Sequence, residues 1–369
     1  MLSMEMESSW GKSSGPDRSI SWSPRQLGYY LPAEWEPHQA TWVSWPHNRE
    51  TWPGCFFEAE REFAQMVGAL APSELVRINV QDAEHERHAA EMLRQIAGSD
   101  LQVRFHHFPT NDAWCRDHGA IFVRRRQVDH VAPPLLALDW GYNAWGGKYP
   151  PYDLDNAIPQ QMARELEIPS IAGGMILEGG SIDANGAGVL LTTTSCLLNP
   201  NRNPHLTREQ IERRLATMFA VDQVIWLGDG IVGDDTDGHI DDITRFVNRD
   251  TVVTVIENND HDENHRPLRD NLRLLRTCRI SAGGVLNVVT LPMPAPVWNQ
   301  GQRLPASYAN FYIGNKVVLV PQFNQQSDGI ARNVLANLFT DREVVGVSCL
   351  NLVGGLGAMH CLTQQVPSV

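Results

Sequence analysis

The amino-acid sequence predicts an α/β fold in which one small unit is repeated. Short runs rich in Val, Ile and Leu, bounded by Gly, Asn, Asp or Pro, alternate with amphipathic helical stretches. The order strand, strand, helix, strand recurs, with a helix about every 50–70 residues, and this periodicity favours a radially repeated α/β architecture. A doubly wound sheet gives a similar order, but the sequence contains no G-x-G-x-x-G after a first strand and no P-loop.

The individual elements follow from composition and from the residues at their ends. Strands are predicted at 75–80, 101–108, 119–125, 188–198, 223–228, 242–248, 251–257, 285–291, 308–323 and 342–350. Helices are predicted at 54–70, 83–97, 156–167, 207–220, 266–278 and 328–340. Thr207 and Gln210 form a capping-box pattern at the start of one helix, and Gly98 is suited to end another. The Asn185-Gly186 pair predicts a tight hairpin.

Charge and composition limit the partners that the protein can bind. The 369-residue chain has a formal net charge of −13, which argues against nucleic acid or a membrane surface as a partner and suits a cationic ligand. Its six cysteines form no CxxC pair and no zinc-ligand spacing, so a reducing compartment is expected. The N-terminus lacks the apolar run of a signal peptide, and no window approaches the length of a membrane span. The sequence therefore predicts a cytoplasmic protein.

The first 26 residues differ in composition from the rest of the chain. Residues 1–26 are polar and rich in Ser, Gly and Pro, and they are predicted to form a flexible N-terminal extension. No later stretch of low complexity divides the chain. Residues 27–369 are therefore predicted to form a single domain.

A cysteine follows a histidine and a glycine-rich turn in the stretch "GGLGAMHC". A free cysteine is most often a buried structural residue. Glycines at 354, 355 and 357 favour a different role for Cys361, because they allow close approach of the backbone and can hold a constrained thiol. A thiol nucleophile then needs an acid or a base within reach.

The most suggestive histidine is His239, in the stretch "GDDTDGHIDDITRF". Five aspartates flank it, and an extended backbone would place His239 and Asp241 on the same face. A metal site and a solvated acidic turn are the alternatives. The spacing does not fit an EF-hand loop, because that loop needs a glutamate at its twelfth position.

Two further stretches carry candidate residues. In "TNDAWCRDHGAIFV", Trp114 and Asp117 suggest an anionic site with a stacking wall, although Trp114 could equally lie in the core and Asp117 could pair with Arg116. In "ILEGGSID", Glu178 precedes a Gly-Gly turn and the predicted hairpin.

Together these residues supply one thiol, one imidazole and several carboxylates, with no sign of a metal or cofactor site. A Cys-His protease needs an oxyanion hole and has no use for many carboxylates. Carboxylates around a thiol instead suggest a cationic electrophile. A guanidinium group fits this description, because it is planar, permanently charged and bound by carboxylates through paired hydrogen bonds.

Six stretches, in consistent order from about residue 28 to residue 367, resemble the agmatine deiminase family. They are "YYLPAEWEPHQATWVSWPHN", "NDAWCRDHGAIFV", "EGGSID", "LLTTTSCLLNPNRNP", "GDDTDGHIDD" and "GAMHCLTQQVP". That family belongs to the guanidine-modifying superfamily and includes the Porphyromonas-type peptidylarginine deiminases. The sequence departs from the more usual "GGGNIHC" before the cysteine, and from the Gly-Pro that often follows the "WCRDH" aspartate. These departures concern positioning rather than the catalytic residue types.

The resemblance implies a fold, a reaction and a cellular role. The fold would be a pentein α/β-propeller, with five ββαβ-like units around a pseudo-fivefold axis and residues 27–369 as one catalytic domain. The reaction would be hydrolysis of agmatine to N-carbamoylputrescine and ammonia, without a cofactor or metal, as a step of putrescine biosynthesis.

The resemblance also implies roles for individual residues. Cys361 matches the nucleophile and His239 the general acid and base, while Asp117 and Asp241 match the two carboxylates that clamp the guanidinium. Three further positions match site-lining or substrate-binding residues, namely Trp114, Asp235 and Glu178.

Other functions remain open at this point. A deiminase of free, methylated or peptidyl arginine would need a basic residue near the channel mouth. A catalytically silent pentein that acts as a binding protein is an alternative of another class, although the full set of catalytic residue types argues against it. The sequence also leaves a homo-oligomer open.

Overall fold

Short strands and longer helices alternate along the chain. The computed structural model of the protein describes residues 22–129, 131–280 and 284–369. Its strands are β1 (Tyr29–Tyr30), β2 (His38–Ser44), β3 (Leu75–Asn79), β4 (Val103–His106), β5 (Ile121–Arg125), β6 (Leu135–Gly141), β7 (Ser170–Ile176), β8 (Asp183–Ala184), β9 (Val189–Thr193), β10 (Gln223–Leu227), β11 (Thr244–Asn248), β12 (Thr251–Ile256), β13 (Asn287–Pro292), β14 (Trp298–Asn299), β15 (Gln302–Arg303), β16 (Tyr312–Ile313), β17 (Val317–Gln322), β18 (Glu343–Ser348) and β19 (Thr363–Pro367).

The longer helices lie where the sequence predicts them, to within three residues at each end. They are α1 (Phe56–Leu70), α2 (Ala83–Ala97), α3 (Asp153–Glu165), α4 (Arg208–Phe219), α5 (His265–Thr277) and α6 (Gln326–Leu338). One-turn helical segments occupy Cys115–His118 and Thr194–Leu197, whereas Ala144–Gly147 forms a turn in which all four residues have positive φ. Turns of 3-10 helix occupy Arg25–Leu27, Gly179–Ser181, Ile240–Asp242 and Leu352–Gly355.

One strand arrangement recurs in five sheets of the described chain, and the fold is mixed α/β. In each sheet a central strand pairs antiparallel with one neighbour and parallel with the other, and a helix connects the parallel pair. The central strands are β2, β6, β9, β12 and β17. In four sheets the antiparallel strand directly precedes the central one along the chain, whereas β2 takes β19 from the far end of the sequence as its antiparallel partner.

The predicted end signals are confirmed. The Thr207 hydroxyl accepts from the backbone N–H of Gln210, whose side chain accepts from Thr207 in return, so α4 begins with a capping box. Gly98 follows α2 with a φ of +89°, a conformation that favours glycine. Asn185 and Gly186 form the turn between the antiparallel strands β8 and β9.

The largest core cluster extends from the helices to the candidate residues. Helix α1 places Phe63 and Val67 in this cluster, and helix α2 adds Leu93. Trp114 and Cys361 belong to the same cluster. The predicted thiol site therefore borders a well-packed core, which limits how far its residues can move.

The predicted strand at 188–198 ends early. Strand β9 stops at Thr193, because the Thr193 hydroxyl accepts from the backbone N–H of Cys196 and so caps a helical turn at Thr194–Leu197. Among the strands of at least five residues, the prediction missed β2, β6, β7 and β19. Strand β6 is buried along most of its length, so it lacks the alternation of an exposed strand.

The predicted N-terminal extension falls mostly outside the described part of the chain. Residues 1–21 lie outside it, and the flexibility predicted for residues 1–26 stays a prediction. At the C-terminal end of the predicted extension, Arg25 lies in a 3-10 turn and donates to the carbonyl oxygen of Val221 at 2.9 Å. Among the residues that the structure describes, no helix is both long and apolar enough to span a bilayer.

Candidate active site

The candidate residues occupy equivalent positions in different sheets. Each sheet's antiparallel outer strand is preceded by a short irregular segment, and these segments carry the site: Asp117 before β5, Glu178 and Gly180 before β8, His239 and Asp241 before β11, Asn310 before β16, and Cys361 before β19. Five separate stretches of sequence, each just before the antiparallel outer strand of its sheet, therefore contribute residues to one site.

Gly180 marks the point at which three of the candidate side chains meet. A Cβ built on Gly180 would lie 2.5 Å from Nδ1 of His239, 2.8 Å from Oδ1 of Asp117 and 3.0 Å from Oδ2 of Asp241. A residue with a side chain cannot occupy this position without displacing these atoms. The backbone N–H of Gly180 also donates to Oδ1 of Asp117 at 2.9 Å.

Asp117 is buried, and both of its oxygens are held. Besides Gly180, the indole N–H of Trp145 donates to Oδ2 of Asp117 at 2.9 Å. Burial raises the pKa of Asp117 to about 6, with the Asp241 and Glu178 carboxylates acting in the same direction and His239 opposing them. The alternative pairing with Arg116 is wrong, because Arg116 lies against Glu34 at 3.3 Å.

His239 faces Asp117, with 3.7 Å between Nδ1 and Oδ1. Burial alone would lower the pKa of His239, but the Asp117 carboxylate, followed by the Cys196 side chain and the Asp241 carboxylate, outweighs burial and raises that pKa well above its usual value. The ring is therefore an imidazolium at neutral pH. Neither ring nitrogen meets a hydrogen-bond partner within the described ranges, although the sulfur of Cys196 lies within 4.8 Å of the ring.

The expected extended backbone at His239 is only partly present. His239 itself is extended, but Ile240–Asp242 forms a 3-10 turn. Asp241 and His239 nevertheless lie close together, because a Cβ built on Gly180 would lie within 3.0 Å of both side chains. The proximity was predicted correctly and the backbone conformation was not.

Cys361 lies at the floor of the site, buried to 6% exposure. Its sulfur accepts from the side-chain amide of Asn310 at 3.0 Å and lies 3.6 Å from Oδ2 of Asp241. Burial and the carboxylates of Asp241, Asp242 and Asp117 raise the pKa of this thiol well above its usual value. Burial and the surrounding carboxylates therefore favour the protonated thiol.

Glu178 is anchored by an arginine that also holds the histidine loop. Nε of Arg202 donates to Oε1 of Glu178 at 2.5 Å, and Nη1 donates to Asp237 at 2.7 Å. Both Arg202 and Glu178 have fully buried side chains. The second oxygen of Glu178 meets no hydrogen-bond donor among the residues described.

A cavity of about 870 Å³ leads from the surface to Cys361 and Asp117. Trp114 lies along its inner part, 5.6 Å from the Trp52 ring. The Trp52 indole explains why a glycine stands at position 355 of the glycine-rich turn, because a Cβ there would lie 2.6 Å from Nε1 of Trp52. Trp114 is thus both a core residue and a cavity-lining residue.

Asp235 also lines the cavity, where it accepts a hydrogen bond from the hydroxyl of Tyr149. Tyr149 is exposed, so Asp235 lies in the outer part of the cavity rather than beside His239. The carboxylates of Glu50 and Asp112 line the same cavity, as do the cations Arg49 and Lys148. Lys148 forms an ion pair with Asp237, with 2.9 Å between Nζ and Oδ1.

Two groups of buried side chains have ligand atoms within 4.8 Å of one another and could be considered for a metal ion. One is Glu178, Cys196 and His239, and the other is Asp241, Asp242 and Cys361. Metal binding requires neutral imidazole and thiolate ligands. Without a metal, burial raises the pKa of the Cys196 and Cys361 thiols, so a metal ion would have to displace a proton from each thiol to bind there.

Asn310, Gly180 and His360 are site residues that the sequence reasoning missed. Asn310 lies within the strand predicted at 308–323, where a polar residue in an apolar run was the available signal. His360 was noticed only as a neighbour of Cys361. The signal for Gly180 was the Gly-Gly pair after Glu178, which was assigned to a turn.

Comparison with known proteins adds to this geometry. Residues 30–367 match the family described as Porphyromonas-type peptidyl-arginine deiminase. A Legionella pneumophila relative that carries the provisional name agmatine deiminase is 34% identical over 351 residues, which cover 95% of this chain and 98% of that protein. The solved agmatine deiminase of Enterococcus faecalis is 29% identical, with a TM-score of 0.88 over 95% of this chain and 99% of that one. A cysteine-to-serine variant of C. jejuni agmatine deiminase, solved with substrate bound, is 31% identical, with a TM-score of 0.82 over 92% and 96% of the two chains.

Proposed function

Because the chain belongs to the Porphyromonas-type peptidyl-arginine deiminase family, we propose that it hydrolyses agmatine to N-carbamoylputrescine and ammonia. It is a hydrolase that acts on the carbon–nitrogen bond of a guanidine group. The observation that best supports this assignment is the placement of a thiol, an imidazolium and two carboxylates around one point at the end of an acidic cavity.

The guanidinium of the substrate would bind between Asp117 and Asp241. Oδ1 of Asp241 is buried and has no hydrogen-bond partner in the described part of the chain, so it is available to a substrate N–H. Glu178 presents a second such oxygen. The butyl chain would lie along Trp114, and the amine would reach Asp235 and the outer carboxylates of the cavity.

The reaction starts when the substrate brings its positive charge next to Cys361. This charge offsets the carboxylates that hold the pKa of the thiol high, so the thiol gives its proton to solvent water upon binding and becomes a thiolate. The thiolate attacks the guanidinium carbon and forms a C–S bond. The imidazolium of His239 gives its proton to one nitrogen, the C–N bond breaks and ammonia leaves.

Hydrolysis of the S-alkylthiouronium adduct completes the cycle. His239, now neutral, takes a proton from water, and the resulting hydroxide attacks the same carbon. The C–S bond breaks, the electron pair returns to the sulfur, and N-carbamoylputrescine is released. The hydroxyl proton of the adduct goes to solvent, where it converts the released ammonia to ammonium. The enzyme regains its thiolate and its imidazolium, and the thiolate takes back a proton from solvent when the product leaves, so charges and protons balance over one turnover.

We also propose that the five sheets form a pentein α/β-propeller around a common axis, with residues 27–369 as one catalytic domain. The convergence of five equivalent segments on one site supports this arrangement. The cytoplasmic location, the absence of nucleic-acid and membrane partners, and a homo-oligomer stay predictions from the sequence.

The proposed substrate is tested by ammonia release from agmatine, free arginine and an arginine-containing peptide, measured in parallel. We expect agmatine to give the highest kcat/KM, because the α-carboxylate of arginine would meet the outer carboxylates of the cavity. Arg49 is the residue that an arginine substrate would use, since it lines the cavity and is exposed. A higher kcat/KM with arginine or peptide would preserve the chemistry and overturn the substrate.

The pH profile should report the ionisation of Asp117. Its pKa is raised to about 6, so the clamp is ionised above pH 6 and loses its charge below it. We expect kcat/KM for agmatine to fall as the pH drops below about 6. The pKa of His239 is raised and that of Asp241 is lowered, so neither titrates in the same window.

The variant Asp117→Asn provides the control for this assignment. It should raise KM about ten- to hundredfold, because a hydrogen bond to a charged group is replaced by a neutral one. The fall in kcat/KM near pH 6 should also disappear. If the variant keeps that fall, another group is responsible for it and Asp117 is not the titrating clamp.

A further inference from the structure

A buried histidine next to the candidate nucleophile lies between two carboxylates. His360 is 2% exposed; its Nδ1 lies 2.7 Å from Oδ2 of Asp241 and its Nε2 lies 2.8 Å from Oε2 of Glu34. An ionised carboxylate oxygen only accepts hydrogen bonds, so both ring nitrogens must donate. A ring that carries a proton on each nitrogen meets this requirement.

Glu34 is a fixed anion, which holds the far side of the ring. Its carboxylate accepts from the backbone N–H of Ile313 at 2.8 Å and lies 2.8 Å from Nη2 of Arg245. Burial alone would raise the pKa of Glu34, but Arg245, His360 and Arg116 outweigh burial and hold the pKa well below its usual value. The ring of His360 is therefore tied on both sides.

The same contact determines how Asp241 is presented to a substrate. His360 occupies Oδ2, which leaves Oδ1 buried and without a hydrogen-bond partner in the ranges described. A carboxylate that is anchored by one oxygen offers the other in a fixed direction. Oδ2 of Asp241 is also the atom that lies 3.6 Å from the sulfur of Cys361.

We propose that His360 is a positioning residue for the hydrolysis of agmatine. By holding Oδ2 of Asp241, it directs Oδ1 toward the guanidinium. The inference rests on the proposed function. It assigns His360 no contact with the substrate, so its effect must pass through Asp241.

A double-mutant cycle tests this dependence. His360→Gln, Asp241→Asn and the double variant are compared with the wild type by kcat/KM for agmatine, with folding checked by thermal denaturation. We expect His360→Gln to lower kcat/KM about 10- to 100-fold, the usual effect of removing a residue that orients a ligand-binding group. In the Asp241→Asn background, the same change should cost less than about twofold, because the two residues act as one unit.

His106→Gln is the matched control. His106 is also buried and lies near a carboxylate, with 3.7 Å between its Nδ1 and Glu165, but it is not among the residues that line the site cavity. Its replacement should leave kcat/KM unchanged.

Two results would overturn the inference: a folded His360→Gln enzyme with wild-type kcat/KM, or an undiminished loss in the Asp241→Asn background. If His360→Gln does not fold, Glu34→Gln loosens the other side of the ring and should cause a smaller, Asp241-dependent loss. An unchanged kcat/KM in Glu34→Gln would then overturn the inference. A wild-type enzyme that releases no ammonia from agmatine overturns the proposed function as well, and so is distinguished from these results.

Discussion

Replacement of Cys361 by serine is expected to reduce ammonia release from agmatine about a thousandfold or more, while the fold is kept. A serine hydroxyl is a far weaker nucleophile than a thiolate, and the incoming guanidinium cannot ionise it at neutral pH. The two side chains are nearly the same size, and the serine hydroxyl can accept the hydrogen bond that Asn310 now gives to sulfur. Single-turnover ammonia release and thermal denaturation measure the two parts of this expectation.

Cys278→Ser is the control for the thiol chemistry. Cys278 lies at the end of α5, is half-buried, and does not line the cavity to Cys361. We expect wild-type kcat/KM from this variant. If Cys361→Ser kept substantial turnover, the nucleophile would have to be sought elsewhere in the chain.

Gly180→Ala is expected to lower kcat/KM about a hundredfold through a single methyl group. The new Cβ would lie 2.5 Å from Nδ1 of His239 and 2.8 Å from Oδ1 of Asp117, so it must displace one of these two side chains. A displacement of about 1 Å at reacting groups costs roughly a hundredfold in rate. Overpacking of this kind should also lower the free energy of unfolding by about 1–3 kcal/mol.

Gly329→Ala is the matched control for this substitution. Gly329 lies in α6, and a Cβ built there meets no atom within 4 Å in the described part of the chain. The change should leave kcat/KM unaltered and raise stability by about 0.5–1 kcal/mol, because alanine favours a helix over glycine. Equal activity of Gly180→Ala and the wild type would contradict the geometry of the site.

The helices could be predicted from local signals in the sequence, and the stretches that carry the candidate site residues could be recognised from short motifs. Capping at Thr207 and the hairpin turn at Asn185 are determined by neighbouring residues. The stretch around Cys361 is recognisable from adjacent residues, namely the glycines and the histidine that precede the cysteine. In these cases the relevant interactions lie within a few residues of one another.

The geometry of the site could not be predicted in the same way. The contact between His360 and Glu34 joins residues 326 positions apart, and no local pattern reports it. The family resemblance matches Asp235 to an acidic position of the same site as His239, although the loop between them carries Asp235 to the outer part of the cavity. The role of Gly180 depends on what approaches it from other sheets.

The pairing of β19 with β2 has a consequence for how the protein folds. Thr363 of β19 pairs with Val43 of β2, roughly 320 residues away in sequence. Cys361 lies directly before β19, so this pairing places the thiol in the site. Closing so long a loop loses much chain entropy, so the pair should form late, after the local units have folded. Until then β2 has an unpaired edge, which invites association with other chains. The segment that carries Cys361 should thus be assembled among the last elements. The yield of refolded protein should fall as the protein concentration during refolding rises.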